Sequence, residues 1–427
     1  MSKLEYVLTP SCSFFLSSEK DSCWNLPMCV EIKRPYDIAA MRIALNRVIA
    51  ENDAVRCIVS GRREDGVYTV RFLEDVSAEP EMMKIMEDDY EKAREKAVRA
   101  AEEFAEEPVD VYNGIPLRIK CFIVSDSAFL LTVVIHHFAA DAVGLAAIGG
   151  RIVSYYLHGC NSLSESRAGQ FSDYLWKCEE LTVSDKYEVQ LKYWKKELEG
   201  LELSAAKDKF ISKALEHEHY FTIGRDMAYE FARGNNSTVF NVILLAVNLL
   251  YAELFDTTDT IAGFVSSDRR DPEFMAAAGN YTRMLGARLK LERNMTFREA
   301  LRKLMTKTVY GVENAAAGDN ILSLPIYISY QEEHQARQFS GAGDIKFIGV
   351  SIPRSTPCMM MSVIEKKDVI GIGIAADRDR YSDTFIANCG RRLTEIVRDM
   401  VLTSGKRLGD YLPESVFNNR VTELIMI

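Results

Sequence analysis

Two adjacent histidines, His136 and His137, are followed four residues later by Asp141 in the segment HHFAAD. They are the only adjacent pair among the six histidines of the 427-residue chain. An unperturbed imidazole titrates near pH ~6.5, so it can take or give a proton close to neutrality. The pair closes an apolar run, Phe129 to Ile135, that reads as a buried strand. Strand neighbours face opposite sides, so one histidine faces a core and the other an open surface. A single histidine at a strand end is more often structural than chemical. A pair, with an aspartate at this spacing and a helix beginning at once, is the rarer arrangement. Asp141 lies past the strand, close enough to orient the loop. The chemistry this suits is acyl transfer from a thioester to an amine. That reaction needs a deprotonated amine, a stabilised oxyanion and two substrates held in line. One positioned imidazole serves the first need. No Ser or Cys nucleophile is required, and the chain contains no G-x-S-x-G elbow.

The elements that must position these residues follow from periodicity. Residues 38–50 carry Ile38, Met41, Leu45, Val48 and Ile49 at helical spacing. Strands are expected over Ala54–Val59, Val67–Phe72, Pro116–Val124 and Phe129–Ile135. Residues 81–107 are dense in Glu, Asp and Lys and read as a solvated helix face. A helix is expected over Val143–Leu157, with Gly144 and Gly149–Gly150 permitting close packing. Residues 161–174 are polar and Ser-rich and mark a lobe boundary, placed at 1–170 and 171–427. A charged helix, Tyr187–Leu198, opens the second half. A long apolar helix starts at Val239 after Asn235-Asn236-Ser237, which suit caps. Further strands are expected over Ile321–Tyr330, Met359–Ile364 and Val369–Ala375, and a last helix over Asp383–Leu402. The expectation is an α/β or α+β protein in two lobes.

Composition narrows the function classes. A chain of 427 residues exceeds one ordinary core. Its 48% hydrophobic and 27% charged residues are those of a folded protein. A net charge of -10 repels a phosphate backbone, so no nucleic-acid partner is expected. Nine cysteines (12, 23, 29, 57, 121, 160, 178, 358 and 389) are scattered, odd in number and without a CxxC pair. They read as reduced thiols of a cytoplasmic protein, with neither a disulfide framework nor a metal site. Met1–Leu16 lacks an export-signal pattern. Phe240–Phe255, the longest apolar stretch, contains Asn241, Asn248 and Glu253. It reads as a buried helix, and no membrane partner is expected.

The ordered set of motifs resembles the condensation domains of nonribosomal peptide synthetases. His136-His137-x-x-x-Asp141 looks like their HHxxxDG. The stretch Ala44 to Arg56 resembles their early helix and strand, and Val109-Asp110 with Pro116-Leu117 resembles the lead-in to the motif. Tyr193-Trp194 resembles the helix opening the second lobe. Gly263 to Arg269, Gly279 to Arg288, and Ile328 to Gln331 resemble three later motifs. Each piece is weak alone, but together they run in order over nearly the whole chain. The resemblance implies two chloramphenicol-acetyltransferase-like lobes in a V. A central tunnel between them would admit carrier-protein phosphopantetheine arms. It implies that His137 points at the reacting groups and that His136 is buried support. Asp141 would pair with an arginine from the other lobe, Arg269 or the adjacent Arg270. Two positions depart from the pattern. Ala142 stands where the motif has glycine: its N–H remains able to contact substrate, while a positive φ would cost energy. Arg283 replaces a usual asparagine and is a tunnel-lining candidate, selecting a polar substrate group or pairing with a carboxylate.

The resemblance further implies amide formation between a thioester-borne acyl group and an aminoacyl carrier protein. No permanently bound cofactor is expected, because substrates ride on phosphopantetheine or coenzyme A. The match begins within a few residues of Met1. The donor is therefore expected from outside the chain, as acyl-CoA or an acyl carrier protein, in the manner of a starter domain performing N-acylation. A downstream carrier protein and adenylation domain are the expected partners, and a monomer the expected state. Ser415 to Ile427 reads as the start of a linker. Two readings stay open: an epimerisation domain of the same fold, and a non-catalytic docking module. A cyclisation domain would need Asp at His136. A simple acetyltransferase of the wider superfamily carries a single histidine.

Overall fold

A computed structural model describes residues 5–16, 24–161, 168–201, 219–318, 324–331, 344–350, 358–376 and 381–417. Cys23, residues 321–323 and most of the stretch from Ser415 to Ile427 lie outside them, as do 162–167 of the Ser-rich segment. The chain divides into two compact units. The first is Met1–Ser184 with Ser267–Thr282 and His334–Arg354. The second is Asp185–Ser266, Arg283–Glu333 and Ser355–Ile427. The sequence placed the division at 170/171; here the first unit runs on through Ser184 and takes back two later segments.

The first unit contains β1 (Tyr6–Val7), α1 (Pro10–Phe14), β2 (Asn25–Ile32), α2 (Ile38–Glu51), β3 (Cys57–Arg62), β4 (Tyr68–Phe72), β5 (Glu81–Lys84), α3 (Tyr90–Glu106), β6 (Leu117–Ser125), β7 (Ala128–His136), α4 (Ala142–His158) and α5 (Phe171–Thr182). A five-stranded sheet has the order β12-β2-β7-β6-β5, in which β12 (Ile345–Ile348) arrives from far along the chain. Strand β7 sits at the centre, antiparallel to both β2 and β6. Every residue of β7 is buried, which is why it reads as an unbroken apolar run. Helix α2 forms on the expected apolar spacing, burying Met41, Ala44, Leu45, Val48 and Ile49. The acidic stretch 81–107 is not one solvated helix. Residues 81–84 are an exposed edge strand parallel to β6. Helix α3 buries Ala93, Ala97, Ala101, Phe104 and Ala105 under its charged face. The small alanines hid that stripe from a reading based on large apolar residues. Ala54–Val59 likewise divides into a 3-10 turn, Asp53–Arg56, and the start of β3.

The second unit contains α6 (Asp185–Glu197), β8 (His219–Gly224), α7 (Arg225–Gly234), α8 (Val239–Phe255), β9 (Asp259–Ser267), β10 (Thr282–Lys290), α9 (Phe297–Glu313), β11 (Ile326–Gln331), β13 (Met359–Glu365), β14 (Val369–Ala375) and the long helix Asp383–Leu402. Its six-stranded sheet has the order β10-β9-β11-β13-β14-β8. Helix α8 is capped by Thr238, whose hydroxyl accepts from the Asn241 N–H, and not by Asn235, Asn236 or Ser237. Its two asparagines are tolerated in the core because each is bonded. Asn248 Oδ1 accepts from Thr260 at 2.8 Å, and Asn241 Oδ1 accepts from Thr308 at 3.0 Å. Among the described residues no single helix is long and apolar enough to cross a membrane, and α7 and α8 meet at a 96° bend.

Candidate active site

The β6–β7 hairpin brings the histidine pair to the end of the most buried strand. His136 closes β7, and its N–H donates to Pro116 O at 3.0 Å. It is buried, and burial together with the neighbouring His137 pushes its pKa down to about 3. Its Nδ1 accepts the Phe138 N–H at 3.3 Å. The neutral ring therefore carries its proton on Nε2. Such a ring is a fixed dipole at neutral pH, not a proton carrier.

His137 faces the other way and is only half-buried. Its backbone is bonded on both sides, its ring is stacked, and Asn280 Nδ2 also lies 3.5 Å from its Nδ1. Its N–H donates to Trp24 O at 2.8 Å. Its carbonyl accepts from Asn280 Nδ2 at 2.6 Å. Its ring lies flat on Phe15, with centroids 3.9 Å apart and planes 3° apart. Asn280 is itself fully buried and fixed, because its Oδ1 accepts from Thr282 N at 3.0 Å and from Thr282 Oγ1 at 2.6 Å. A half-open imidazole with a pinned backbone and a stacked face can present a ring nitrogen in a constant place.

Asp141 is buried and caps α4, with Oδ1 accepting the Gly144 N–H at 2.8 Å. The same oxygen takes Arg269 Nη2 at 2.7 Å. Oδ2 takes Arg269 Nε at 3.2 Å and the Tyr281 N–H at 3.1 Å. The four acceptor positions of the carboxylate are thereby filled. Arg269 is equally saturated. Its Nη1 donates to Phe274 O at 2.6 Å and Ala277 O at 2.8 Å, and Nη2 also reaches Gly279 O at 3.3 Å. Its planar fork lies over the Tyr281 ring at 4.2 Å. Arg270 instead pairs with Asp268 at 2.6 Å and is half-exposed. Arg269 is far along the sequence, yet it belongs to the same compact unit as Asp141, not to the other unit. The segment Ser267–Thr282 folds back onto α4, so the clamp is internal to the first unit.

That return depends on two glycines. A Cβ on Gly144 would stand 2.5 Å from Gly279 O, and Gly279 itself adopts φ +142° against Phe171 and Tyr281. Ala142 is the first residue of α4 and is exposed. It is not among the described non-glycine residues with positive φ, so alanine costs nothing there. As the first helical residue, its N–H has no intrahelical acceptor. Arg283 is buried in β10, in the second unit. Among the described residues no group of three or more His, Cys, Asp or Glu could hold a metal ion. Sequence reasoning did not single out Phe15, Trp24 or Asn280. Asn280 lay in a quoted motif, but Phe15 and Trp24 carried no local signal.

In fold, the chain matches solved condensation-domain structures over nearly its whole length. It superposes on the starter condensation domain of rhizomide synthetase RzmA with a TM-score of 0.75, at 15% identity, covering 96% of this chain and 99% of that one. It superposes on the X-domain from teicoplanin biosynthesis with a TM-score of 0.77, at 17% identity, covering 94% and 96%. Residues 5–324 match the family described as "Condensation domain", and the chain belongs to the condensation-domain family of nonribosomal peptide synthetases. Among curated proteins it is 21% identical over 424 residues to chondramide synthase cmdD of Chondromyces crocatus, covering 91% of this chain. It is 25% identical over 308 residues to the isonitrile lipopeptide synthase of Mycobacterium tuberculosis, covering 68% of this chain. The chain spans only 10% and 12% of those two relatives.

Proposed function

We propose that this domain forms an amide bond by transferring an acyl group from a thioester to the amine of an aminoacyl carrier protein. The amine nitrogen bonds to the acyl carbon, the carbon–sulfur bond breaks, and the proton lost by the amine passes to the departing thiolate. His137 is assigned the handling of that proton. The observation that carries the reading is the division of labour in the pair. His136 is buried and held neutral, while His137 is half-open and fixed by Trp24, Asn280 and Phe15. Asp141 and Arg269 are assigned a supporting role, since every acceptor of one and every donor of the other is occupied. Arg283, buried in β10, keeps both roles the sequence left open, selecting a polar substrate group or pairing with a carboxylate. The substrates would arrive on phosphopantetheine or coenzyme A, with a carrier protein and an adenylation domain as partners. For the donor we propose an acyl-CoA or acyl carrier protein, as in a starter domain. The non-catalytic alternative drew on Ala142, which fits its helical position without strain.

The test is single-turnover transfer. The protein is mixed with octanoyl-CoA, or with a peptidyl carrier protein, and with an aminoacyl-loaded carrier protein, and products are read by mass spectrometry. An N-octanoyl aminoacyl product supports both the reaction and the donor class. A product from the peptidyl donor alone removes the starter assignment. Inversion of the aminoacyl α-carbon without amide formation points to epimerisation. Absence of any product removes the catalytic reading.

A further inference from the structure

The buried polar groups around the histidine pair are bonded with few exceptions, and one exception is on Trp24, the residue whose carbonyl accepts the His137 N–H. In the β2–β7 pairing, Asn25 stands opposite His136. Just beyond the end of that ladder, the His137 N–H donates to Trp24 O at 2.8 Å and keeps the two residues side by side. The two rings share a neighbour. Phe15 stacks on the His137 imidazole at 3.9 Å and meets the Trp24 indole at 5.1 Å, and Phe14 meets the same indole at 5.3 Å. Trp24 is 8% exposed, and its Nε1–H has no acceptor.

A buried indole N–H without an acceptor costs stability, because its bond to water is given up on folding and not replaced. Packing alone does not require an indole there: a phenyl ring would fill an aromatic cluster without burying a donor. We propose that the Trp24 Nε1–H is a substrate-binding donor that bonds the carbonyl oxygen of the acyl thioester held against His137. The inference rests on the acyl-thioester reading above and deepens it, by naming the group that recognises the carbonyl. A thioester carbonyl is a neutral acceptor that a water-excluded N–H can bind without competition from solvent. The bond also gives the acyl carbon a fixed place beside the imidazole. No charge is moved by this contact; Trp24 binds and orients.

The experiment separates the N–H from the ring. Trp24 is replaced by benzothienylalanine, which keeps the bicyclic shape and has sulfur in place of N–H, with Trp24→Phe as a genetically encoded second variant. Octanoyl-pantetheine is compared with S-octyl-pantetheine, a thioether lacking the carbonyl, by isothermal titration calorimetry on the full chain. The wild type is expected to bind the thioester about tenfold more tightly than the thioether, as one hydrogen bond allows. The benzothienylalanine protein is expected to bind both alike, with a melting temperature no lower than that of the wild type, because the buried unpaired donor is gone. Persistence of the tenfold preference in both variants overturns the proposal. So does a wild type that binds the two ligands equally or not at all. A wild type that prefers the thioester but yields no amide in the transfer assay removes the reaction and leaves the Trp24 contact standing.

Discussion

His137 is expected to matter for rate and little for folding. His137→Ala should reduce acyl transfer by about 10²–10⁴-fold, the usual contribution of a positioned acid–base group, while its melting curve stays near that of the wild type. Near-wild-type turnover by that variant would remove the assignment. His136 predicts a pH effect instead. Its folded pKa of about 3 lies below the ~6.5 of an exposed imidazole. Well above pH ~6.5 the ring is neutral in folded and unfolded chains alike and its titration is silent. As the pH falls, the unfolded chain takes up a proton that the folded chain refuses, so stability is lost by up to ~1.4 kcal/mol per pH unit toward pH 3. His136→Asn keeps an acceptor near Nδ1 and does not titrate. Urea midpoints measured at pH 7 and pH 5 should fall more for the wild type than for this variant. Arg269 uses all five donors in a fixed fork, which an ammonium group cannot reproduce. Arg269→Lys should therefore destabilise nearly as much as Asp141→Ala, by about 3–5 kcal/mol for breaking a buried pair, read from chemical denaturation. An Asp141→Ala protein that melts like the wild type and is merely slow would refute the structural role.

At the level of elements, the site depends on how closely α4 and the segment 267–282 approach. Asp141 begins the helix and receives the returning arginine, while Gly144, three residues on, leaves room for the Gly279 carbonyl. Gly144→Ala would improve helix propensity by about 1 kcal/mol in an exposed helix. Here the added methyl meets backbone at 2.5 Å, and backbone cannot rotate aside. The expected outcome is a net loss of about 1–3 kcal/mol from overpacking. Activity should fall further than stability predicts, because Asn280 moves with Gly279 and holds the His137 carbonyl. A Gly144→Ala protein more stable than the wild type would show that the two backbones separate freely.

For the whole molecule, the first compact unit is not a contiguous stretch of chain. It needs Ser267–Thr282 for the Asp141 clamp and β12 for the edge of its sheet, where Ile345 to Ile348 pair with Ile32 to Cys29. A fragment ending at Ser184 would leave Asp141 buried without its arginine and β2 without its outer neighbour. Such a fragment is expected to lose cooperative unfolding and near-ultraviolet circular dichroism. A sharp, native-like transition from residues 1–184 would contradict the unit described here.

The sequence by itself determined the local elements and the chemistry-bearing cluster. Apolar periodicity is a property of neighbours in the chain, so α2, α4, β7, β13 and the helix Asp383–Leu402 could be read directly. The adjacency of His136 and His137 at the end of an apolar run was equally visible. Alternation along a strand required that they face opposite sides, and the resemblance favoured His137 as the open one. The sequence was less informative about α3, where alanines rather than large residues form the buried stripe, and about the cap of α8, one residue later than Asn235-Asn236-Ser237. Only the tertiary structure decided which arginine meets Asp141, that it belongs to the same compact unit, and that Phe15, Trp24 and Asn280 surround His137. Those contacts join residues more than a hundred positions apart. They are selected by strand register and by the space that Gly144 and Gly279 leave between backbones, and neither is written in any local stretch of sequence.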